Sequence, residues 1–377
     1  MVIRELADAL ATADATPNDA ALIWTYLSSS LDDDRTASAT DAALDRFARS
    51  IEAGVRGPAL WGGLAGTGWI ANHIADDVDA FLEVVDTALL EALATEPWVY
   101  DYDLISGLVG MAVYFLDRTG DAAGKGLARI VEQLEATSEQ RDGGITWHTR
   151  PDLLPDFQRE LSPEGYYNCG LAHGVPGCVA VLAKIAARRD APAAAGRLAD
   201  GAVSWLVAQL RDGTIPTVVD GTAARGSRDA WCYGMPGVAA ALRIAGVHRG
   251  PVMDYDALDG WLQRPFEATG VVDTALCHGA VGLAHIANRF YQATGSPSHR
   301  DGAIRWYERA LAMRKPGEPL AGFPQYSPPL AGRGVAWNPS AHLLDGAGGV
   351  ALGLLAAVAP VEPEWDRLLL TDLPVRA

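Results

Sequence analysis

The chain has 377 residues, of which 49% are hydrophobic and 20% charged, a balance typical of a globular protein with a large core. Its formal net charge of -17 disfavours nucleic acid and anionic membranes as partners and favours cationic or neutral ones. No apolar run is long enough for a membrane span, and four cysteines are too few for a disulfide framework. The first residues are acidic where a signal peptide is basic and then apolar, so we expect a cytoplasmic protein.

A Gly-x-x-Gly unit followed by an apolar run recurs along the chain at intervals that suit a helix, a loop and a returning helix. The units begin at Gly63, Gly107, Gly174, Gly234, Gly279 and Gly346. The runs that follow them contain almost no charge, which predicts helices that are buried on all sides. Such self-similarity indicates a repeat architecture. Because glycine costs about 1 kcal/mol relative to alanine inside a helix, these pairs indicate either close packing or a backbone shape needed for a site.

Between the units lie segments that mix apolar residues at helical spacing with charged ones, which predicts outer helices with one wet face. These segments are 40–53, 79–94, 121–137, 194–210, 255–262 and 301–313. Residues 18–31 are apolar but lack the glycines, and we interpret them as a degenerate first inner helix. We therefore predict an all-α protein with two concentric helical layers, in a single domain that spans residues 1–377. The role of residues 1–60 stays open.

Two segments interrupt this alternation of helices. Residues 140–168 contain Trp147, Tyr166 and Tyr167, and residues 315–339 contain six prolines with several aromatic residues. Long loops in a compact domain are usually functional or disordered. The aromatic residues are consistent with an ordered wall around a site or with plain surface packing.

Two cysteines and a histidine lie where a loop enters a predicted inner helix. Cys232 precedes the unit at Gly234, and Cys277 with His278 precedes the unit at Gly279. Two cysteines and a histidine are preferred ligands of zinc, and three protein ligands leave a fourth position open, as in catalytic sites. A helix N-terminus also stabilises thiolates. The alternative is that Cys232 is a small buried residue and His278 a cap.

Three motifs together resemble the lanthionine synthetase C family, the cyclases of lanthionine-containing peptides. They are Trp231-Cys232-Tyr233-Gly234, Cys277-His278-Gly279 and the segment Gly170-Leu171-Ala172-His173-Gly174-Val175-Pro176-Gly177. They occur in the order of the family, and the glycine units extend the resemblance from about Gly63 to Gly349. The resemblance implies an α/α toroid of helical hairpins, seven in the typical member, of which we count six clear ones here and a possible seventh.

The resemblance also implies a chemistry and its partners. Zn²⁺ bound by Cys232, Cys277 and His278 would activate a peptide cysteine thiol, which adds to a dehydroalanine or dehydrobutyrine of the same peptide to form a lanthionine or methyllanthionine ring. The substrate would be a dehydrated precursor peptide. No phosphate-binding glycine loop occurs, which argues against a built-in kinase or lyase. A stand-alone cyclase would work with a separate dehydratase and, in a maturation complex, a transporter.

Addition to the double bond leaves an enolate that needs a donor and a proton, and four further residues are candidates. His173, just before a glycine unit, is the leading acid/base residue; the alternative is an ordinary loop histidine. Asp103 matches an aspartate position of the family and would orient a histidine or take the proton, but a helix cap is the alternative. Arg228 would stabilise the enolate oxygen or form a surface ion pair. Tyr233 either donates a hydrogen bond or only packs.

Other polar residues carry weaker expectations. We expect Cys169 and Cys178 to be buried side chains rather than ligands, and His285 to be a core histidine. His342 precedes the last glycine unit and could contact substrate, while Asp345 is expected to cap a helix.

Two other functions remain open. A relative with the same metal chemistry could act on a small-molecule thiol, and a non-catalytic scaffold could recruit a peptide maturation complex. A scaffold has no use for an open zinc position, and metal analysis would discriminate. A sugar-processing α/α barrel would need two facing carboxylates, and Asp103 has no evident partner.

Overall fold

The computed structural model describes residues 1–31, 33–219, 228–250, 253–327 and 336–376. The helices in this part of the chain are α1 (Val2–Leu10), α2 (Pro17–Ser28), α3 (Asp34–Glu52), α4 (Leu64–Ile74), α5 (Asp79–Leu93), α6 (Leu108–Asp117), α7 (Asp121–Ala136), α8 (Asp156–Leu161), α9 (Val175–Ala186), α10 (Ala193–Ala208), α11 (Met235–Arg249), α12 (Ala280–Thr294), α13 (Pro297–Met313), the single turn α14 (Pro319–Gly322) and α15 (Ala347–Val358). Four 3₁₀ segments cover Pro151–Leu153, Tyr255–Gln263, Phe266–Ala268 and Glu364–Leu369. None of the described helices is both long and apolar enough to span a membrane.

Seven of the described helices form a closed inner ring. Each packs against the next in the order α2, α4, α6, α9, α11, α12 and α15, and α15 packs against α2. Six of them begin directly after the first glycine of a Gly-x-x-Gly unit. The degenerate first inner helix is confirmed as α2, where the Thr16 side chain accepts a hydrogen bond from the amide of Asp19 and so caps the helix without glycine. The toroid fold is confirmed, with a seventh inner helix.

The outer layer follows the predicted amphipathic segments. Helices α3, α5, α7, α10 and α13 occupy five of them, and the sixth is the 3₁₀ helix Tyr255–Gln263. The N-terminal helix α1, which the glycine pattern does not mark, packs against α15 from the other end of the chain. Its buried face carries Leu6, Ala7 and Leu10. Helices from the two ends of the described chain therefore meet: α15 packs against both α1 and α2.

The second glycine of each unit lies against the backbone of its own entry loop. A Cβ added at Gly66 would lie 1.8 Å from the carbonyl oxygen of Leu60, and one added at Gly282 would lie 1.9 Å from that of Leu276. The same carbonyl, six residues before the glycine, would be met at the other units. The loop that enters each inner helix thus folds back over the first turn of the helix. Of the two reasons offered for the glycines, close packing explains this second position, where the backbone of the entry loop leaves no room for a Cβ.

The entry loops are joined to one another by backbone hydrogen bonds at one end of the toroid, which we call the rim. Five backbone amides donate to a carbonyl of the next loop at 2.7 to 3.4 Å. The pairs, donor first, are Trp61 with Ile105, Leu104 with Ala172, Ala172 with Cys232, Cys232 with Cys277, and Cys277 with Leu344. Each bond joins loops of neighbouring inner helices. Side chains at the same offset from successive helices therefore lie side by side, although 44 to 67 residues separate them in sequence.

Short antiparallel strands that the sequence did not predict lie mainly in the two segments that interrupt the helices, and one strand of two residues lies outside both segments. Strands β1 (Ser138–Arg141), β2 (Gly144–Thr149), β3 (Tyr166–Asn168) and β4 (Val218–Val219) pair in that order, and β5 (Gln325–Ser327) pairs with β6 (Ala336–Asn338). Strands this short carry no readable alternation of apolar and polar residues. Residues 328–335 of the proline-rich segment lie outside the described residues. The all-α class holds for the toroid, and the strands are additions at its rim.

Candidate active site

Cys232, Cys277 and His278 come together on the rim. One possible ligand atom from each residue lies within 4.8 Å of the others, and this is the metal-capable group found among the described residues. Cys232 and Cys277 each stand two positions before the first glycine of their unit, and the amide of Cys232 donates to the carbonyl of Cys277 at 3.2 Å. Cys232 is buried, whereas Cys277 and His278 are half-buried. The cluster is therefore compatible with a metal ion that substrate can approach.

The two thiols are coupled through a hydrogen bond. Donation by Cys277 lowers the pKa of Cys232; burial opposes this change, and the charges of Arg228, His278 and His173 add to it. The same hydrogen bond, together with burial, raises the pKa of Cys277. The pair therefore loses its first proton readily and holds its second one strongly. A cation between the sulfur atoms would displace that second proton.

A buried carboxylate supports His278. Nε2 of His278 lies 3.3 Å from Oδ2 of Asp273, which is fully buried. Asp273 also accepts hydrogen bonds from the amides of Tyr326 at 3.1 Å and Ala275 at 3.3 Å. Burial alone would lower the pKa of His278, but the contact with Asp273 outweighs it and the pKa is raised. Because Nε2 faces Asp273, Nδ1 is the nitrogen left for a metal ion.

His173 and Asp103 form a second pair beside the cluster. Nδ1 of His173 lies 2.5 Å from Oδ2 of Asp103, whose other oxygen accepts a hydrogen bond from the amide of Ser106 at 2.7 Å. Asp103 therefore both braces its own loop and orients the histidine. The His173 side chain is 45% exposed and that of Asp103 only 8%. Burial would lower the pKa of His173, but the hydrogen bond and charge of Asp103 raise it overall.

Tyr233 lies over His173 and is held by a residue that the sequence did not single out. The two ring centroids are 6.4 Å apart. The side-chain amide of Asn168 donates to the Tyr233 hydroxyl at 3.2 Å, while its oxygen accepts from the amide of Gly170 at 2.8 Å. This second bond fixes the orientation of the Asn168 amide. Because the Tyr233 oxygen is used as an acceptor, its own O–H can donate elsewhere.

A cavity of about 260 Å³ opens beside these residues and is lined by Asp101, Tyr166, His173 and Tyr233, among others. Burial and the charge of Asp103 raise the pKa of Asp101 to about 6, although the charge of His173 acts against them. Tyr166 and Asn168 belong to strand β3. The first interrupting segment therefore forms part of the wall of the site, as one of its two interpretations predicts.

Arg228 is exposed and its positive charge contributes to lowering the pKa of Cys232. Its neighbour Asp229, the partner suggested for a surface ion pair, is paired with Arg264 at 2.6 Å. The charge of Arg228 therefore acts on the cluster, and Asp229 is paired with Arg264.

Four residues that contact or support the site share one position relative to the glycine units. Asp101, Asn168, Arg228 and Asp273 all stand six positions before the first glycine of their unit. Only Arg228 among them was singled out from the sequence. The repeat spacing itself was the signal that could have found the other three.

The remaining expectations from the sequence are partly confirmed and partly wrong. Cys169 and Cys178 are fully buried and lie outside the cluster, as expected, and burial raises the pKa of Cys169 to about 12. His285 is a core histidine, bonded through Nε2 to Asp366 at 3.0 Å.

The expected cap at Asp345 is wrong: α15 has no side-chain cap, and Asp345 accepts a hydrogen bond from Gln325. His342 lies on the rim and contacts Asp19 at 3.0 Å.

Comparisons with known proteins agree with this description. Residues 20–370 match the family model described as lanthionine synthetase C-like protein. The nisin biosynthesis protein NisC of Lactococcus lactis subsp. lactis is 24% identical over 262 residues, which are 61% of this chain and 62% of that protein. The chain thus spans about 62% of the length of the curated relative it matches. A solved structure of a nisin cyclase is similar with a TM-score of 0.78 at 18% identity, over 98% of this chain and 96% of that one. That structural likeness supports the fold, and the match over residues 20–370 assigns the chain to the lanthionine synthetase C-like family.

Proposed function

We propose that this chain is a zinc-dependent lanthipeptide cyclase, which adds peptide cysteine thiols to dehydroalanine or dehydrobutyrine and so forms lanthionine or methyllanthionine rings. The observation that carries the proposal is the arrangement of two thiols and an imidazole beside the His173–Asp103 pair. A metal site supplies a nucleophile, and a neighbouring histidine supplies a proton. Addition of a thiol to an activated double bond needs both.

The donor set fits zinc. Two sulfur ligands and one imidazole are typical of zinc sites, and three protein ligands leave a position for substrate. Asp273 behind His278 provides the carboxylate that commonly orients a ligating histidine. When bound, zinc lowers the pKa of a substrate thiol at the open position and so supplies a thiolate at neutral pH.

His173 is proposed to return the proton. In the reaction the new C–S bond forms at the β-carbon, and the electrons of the carbon–carbon double bond move toward the carbonyl to give an enolate. The thiol proton leaves and the α-carbon gains one, so no other atoms enter or depart. Because Nδ1 of His173 is bonded to Asp103, Nε2 is free to deliver this proton. The raised pKa of His173 keeps the donor form populated nearer neutral pH.

Arg228 and Tyr233 are proposed to stabilise the enolate oxygen. The Tyr233 O–H is available as a donor because its oxygen accepts from Asn168. The guanidinium of Arg228 carries a permanent positive charge beside the cluster. Preorganised donors of this kind are among the larger contributions to catalysis, because they need no rearrangement when charge develops.

The proposal includes the partners and location of the protein. The substrate is a dehydrated precursor peptide, a separate dehydratase prepares it, and a transporter exports the product. A net charge of -17 suits a neutral or cationic peptide. A reducing cytoplasm would keep the thiol ligands free. Action on a small-molecule thiol remains a second candidate, since the same metal chemistry would serve it.

The test is to assay a precursor peptide encoded beside this gene, after dehydration, for loss of free thiol. The zinc-loaded protein should consume thiols without a change in peptide mass, and the Cys232→Ala variant should not. Turnover of small thiols with no action on any dehydrated peptide would favour the second candidate instead.

A further inference from the structure

A second cavity, of about 690 Å³, opens on the rim between the starts of α2, α4 and α15. Its lining includes Thr16 at the start of α2, Trp61 before α4 and Leu344 before α15. The volume lies within the range of sites that bind small molecules or short peptide segments. It exceeds the 260 Å³ of the cavity beside His173.

The position of this rim cavity complements the candidate active site. The entry loops of α6, α9, α11 and α12 carry Asp103, His173, Cys232 and Cys277, whereas the other three inner helices of the described ring frame the cavity. The amide of Cys277 donates to the carbonyl of Leu344 at 2.7 Å, and Leu344 lines the cavity. The loop of the metal cluster before α12 is therefore a direct neighbour of the loop before α15, which lines the cavity. On its other side, α6 separates the cavity from His173.

The floor of the rim cavity is apolar. Leu60, Ile70 and Leu343 line it and are each at most 5% exposed. Two polar groups of the wall have protein partners, since Asp19 contacts His342 at 3.0 Å and the Asn18 amide donates to Thr67 at 3.1 Å. Arg56 also belongs to the lining but is exposed, away from the buried floor. A ligand side chain that reaches the floor therefore meets apolar surface, and an apolar side chain would be favoured there over a charged one.

The substrate places its own constraint on what enters the cavity. A peptide whose cysteine thiol reaches the cluster has neighbouring residues only about 3.8 Å away along its backbone. The electrophilic residue must lie toward His173 if that histidine is to protonate it. The residues on the opposite side of the cysteine then run toward Leu344 and the cavity.

We propose that the rim cavity binds apolar residues of the substrate peptide that adjoin the reacting cysteine, on the side away from the forming ring. The proposal rests on the cyclase function proposed above and extends it to sequence preference. The apolar floor supplies affinity, and the adjacency of Cys277 and Leu344 sets the register between the bound residue and the thiol.

The test measures binding of three synthetic peptides of equal length to the zinc-loaded protein by calorimetry. Each carries one cysteine, a two-residue spacer and an alanine in place of the dehydroalanine, so that no ring can form. One has two leucines next to the cysteine outside the spacer, one has them inside the spacer, and one has only glycines. The outer leucines should tighten binding about tenfold or more relative to glycine, and the inner ones should not.

Variants of the cavity wall then locate the effect. Val55→Trp and Ser50→Trp would fill the cavity from half-buried positions that line it. Both should abolish the advantage of the outer leucines and leave zinc content and binding of the glycine peptide unchanged. Val84→Trp, on the exposed face of α5, is the matched control and should keep the advantage.

Equal binding of the three peptides by the wild-type protein would overturn the proposal, and so would an advantage that survives both filling variants. Peptides that retain the dehydroalanine report separately on the proposed function. Preference for outer leucines without thiol loss would contradict the cyclase activity alone, and thiol loss without that preference would contradict the cavity proposal alone.

Discussion

The amide of Cys232 donates a hydrogen bond to the carbonyl of Cys277 at 3.2 Å, and through this bond two neighbouring repeats are aligned. Each cysteine stands two positions before the glycine that opens its inner helix. Backbone pairing thus brings the two sulfur atoms to one place, and the next residue, His278, completes the group. The geometry of the cluster is a property of the repeat and not of a dedicated metal-binding loop.

Replacing His173 by alanine should separate proton transfer from metal binding. Zinc content should be unchanged, because His173 is not part of the cluster. Thiol loss should fall by about a hundredfold or more, the usual contribution of a positioned acid or base. The measurements are zinc analysis and thiol titration, with His248→Ala at the far end of α11 as the control. Loss of zinc from the His173 variant would make this histidine a ligand and the proposed site wrong.

Asp103→Asn should change the pH dependence of the reaction. In the wild-type protein the charge of Asp103 raises the pKa of His173, so that the protonated donor persists to higher pH. Removing this charge should lower that pKa. The alkaline limb of the rate profile should therefore move to lower pH, with a smaller loss of rate at acidic pH than in His173→Ala. An unmoved alkaline limb would show that another group limits the rate there.

Asp273→Asn should weaken zinc binding by about 10- to 100-fold, since outer partners of ligating histidines commonly contribute this much. The amide would keep the shape of the carboxylate but lose its charge on His278. Competition with a chelator of known affinity provides the measurement. Asp259→Asn is a matched control, because Asp259 contacts His299 at 2.7 Å outside the cluster. If both variants retained wild-type affinity, Asp273 would have only a structural role.

Asp101→Asn should stabilise the protein at neutral and alkaline pH. The pKa of Asp101 is raised from 3.8 to about 6 by burial and the charge of Asp103, so ionisation is more costly in the folded state than in the unfolded one. Folded stability is therefore highest with Asp101 protonated and is lost as the pH rises from about 4 to about 6. Asparagine avoids this loss, which amounts to about 1 to 2 kcal/mol once solvent screening of the partly exposed carboxylate is included.

The free energy of unfolding in urea at several pH values tests this expectation. The difference between Asp101→Asn and wild type should grow between about pH 4 and pH 6 and remain constant above that range. A difference independent of pH would mean that Asp101 acts through packing rather than through its charge.

The inner helices could be predicted because the sequence pattern that marks them is repeated along the chain. The six glycine units each open an inner helix, and the residues next to them, such as Cys277 and His173, lie in the entry loops at the rim. Asp273 and Asn168 could not be read from local chemistry, because a single acid or amide in a loop has many ordinary roles. Their importance comes from contacts with His278 and Tyr233, which only the folded chain brings within reach. Strand β3 escaped prediction because three residues show no pattern.

The most direct test of the account compares zinc content and thiol loss in the same preparations of wild type, Cys277→Ala and Cys169→Ala. Cys169 is a fully buried cysteine outside the cluster and serves as the matched control. We predict about one zinc per chain and loss of thiols from a dehydrated peptide for wild type and Cys169→Ala, with both lost together in Cys277→Ala. Full thiol loss by a Cys277→Ala protein that holds no zinc would contradict the metal-dependent mechanism.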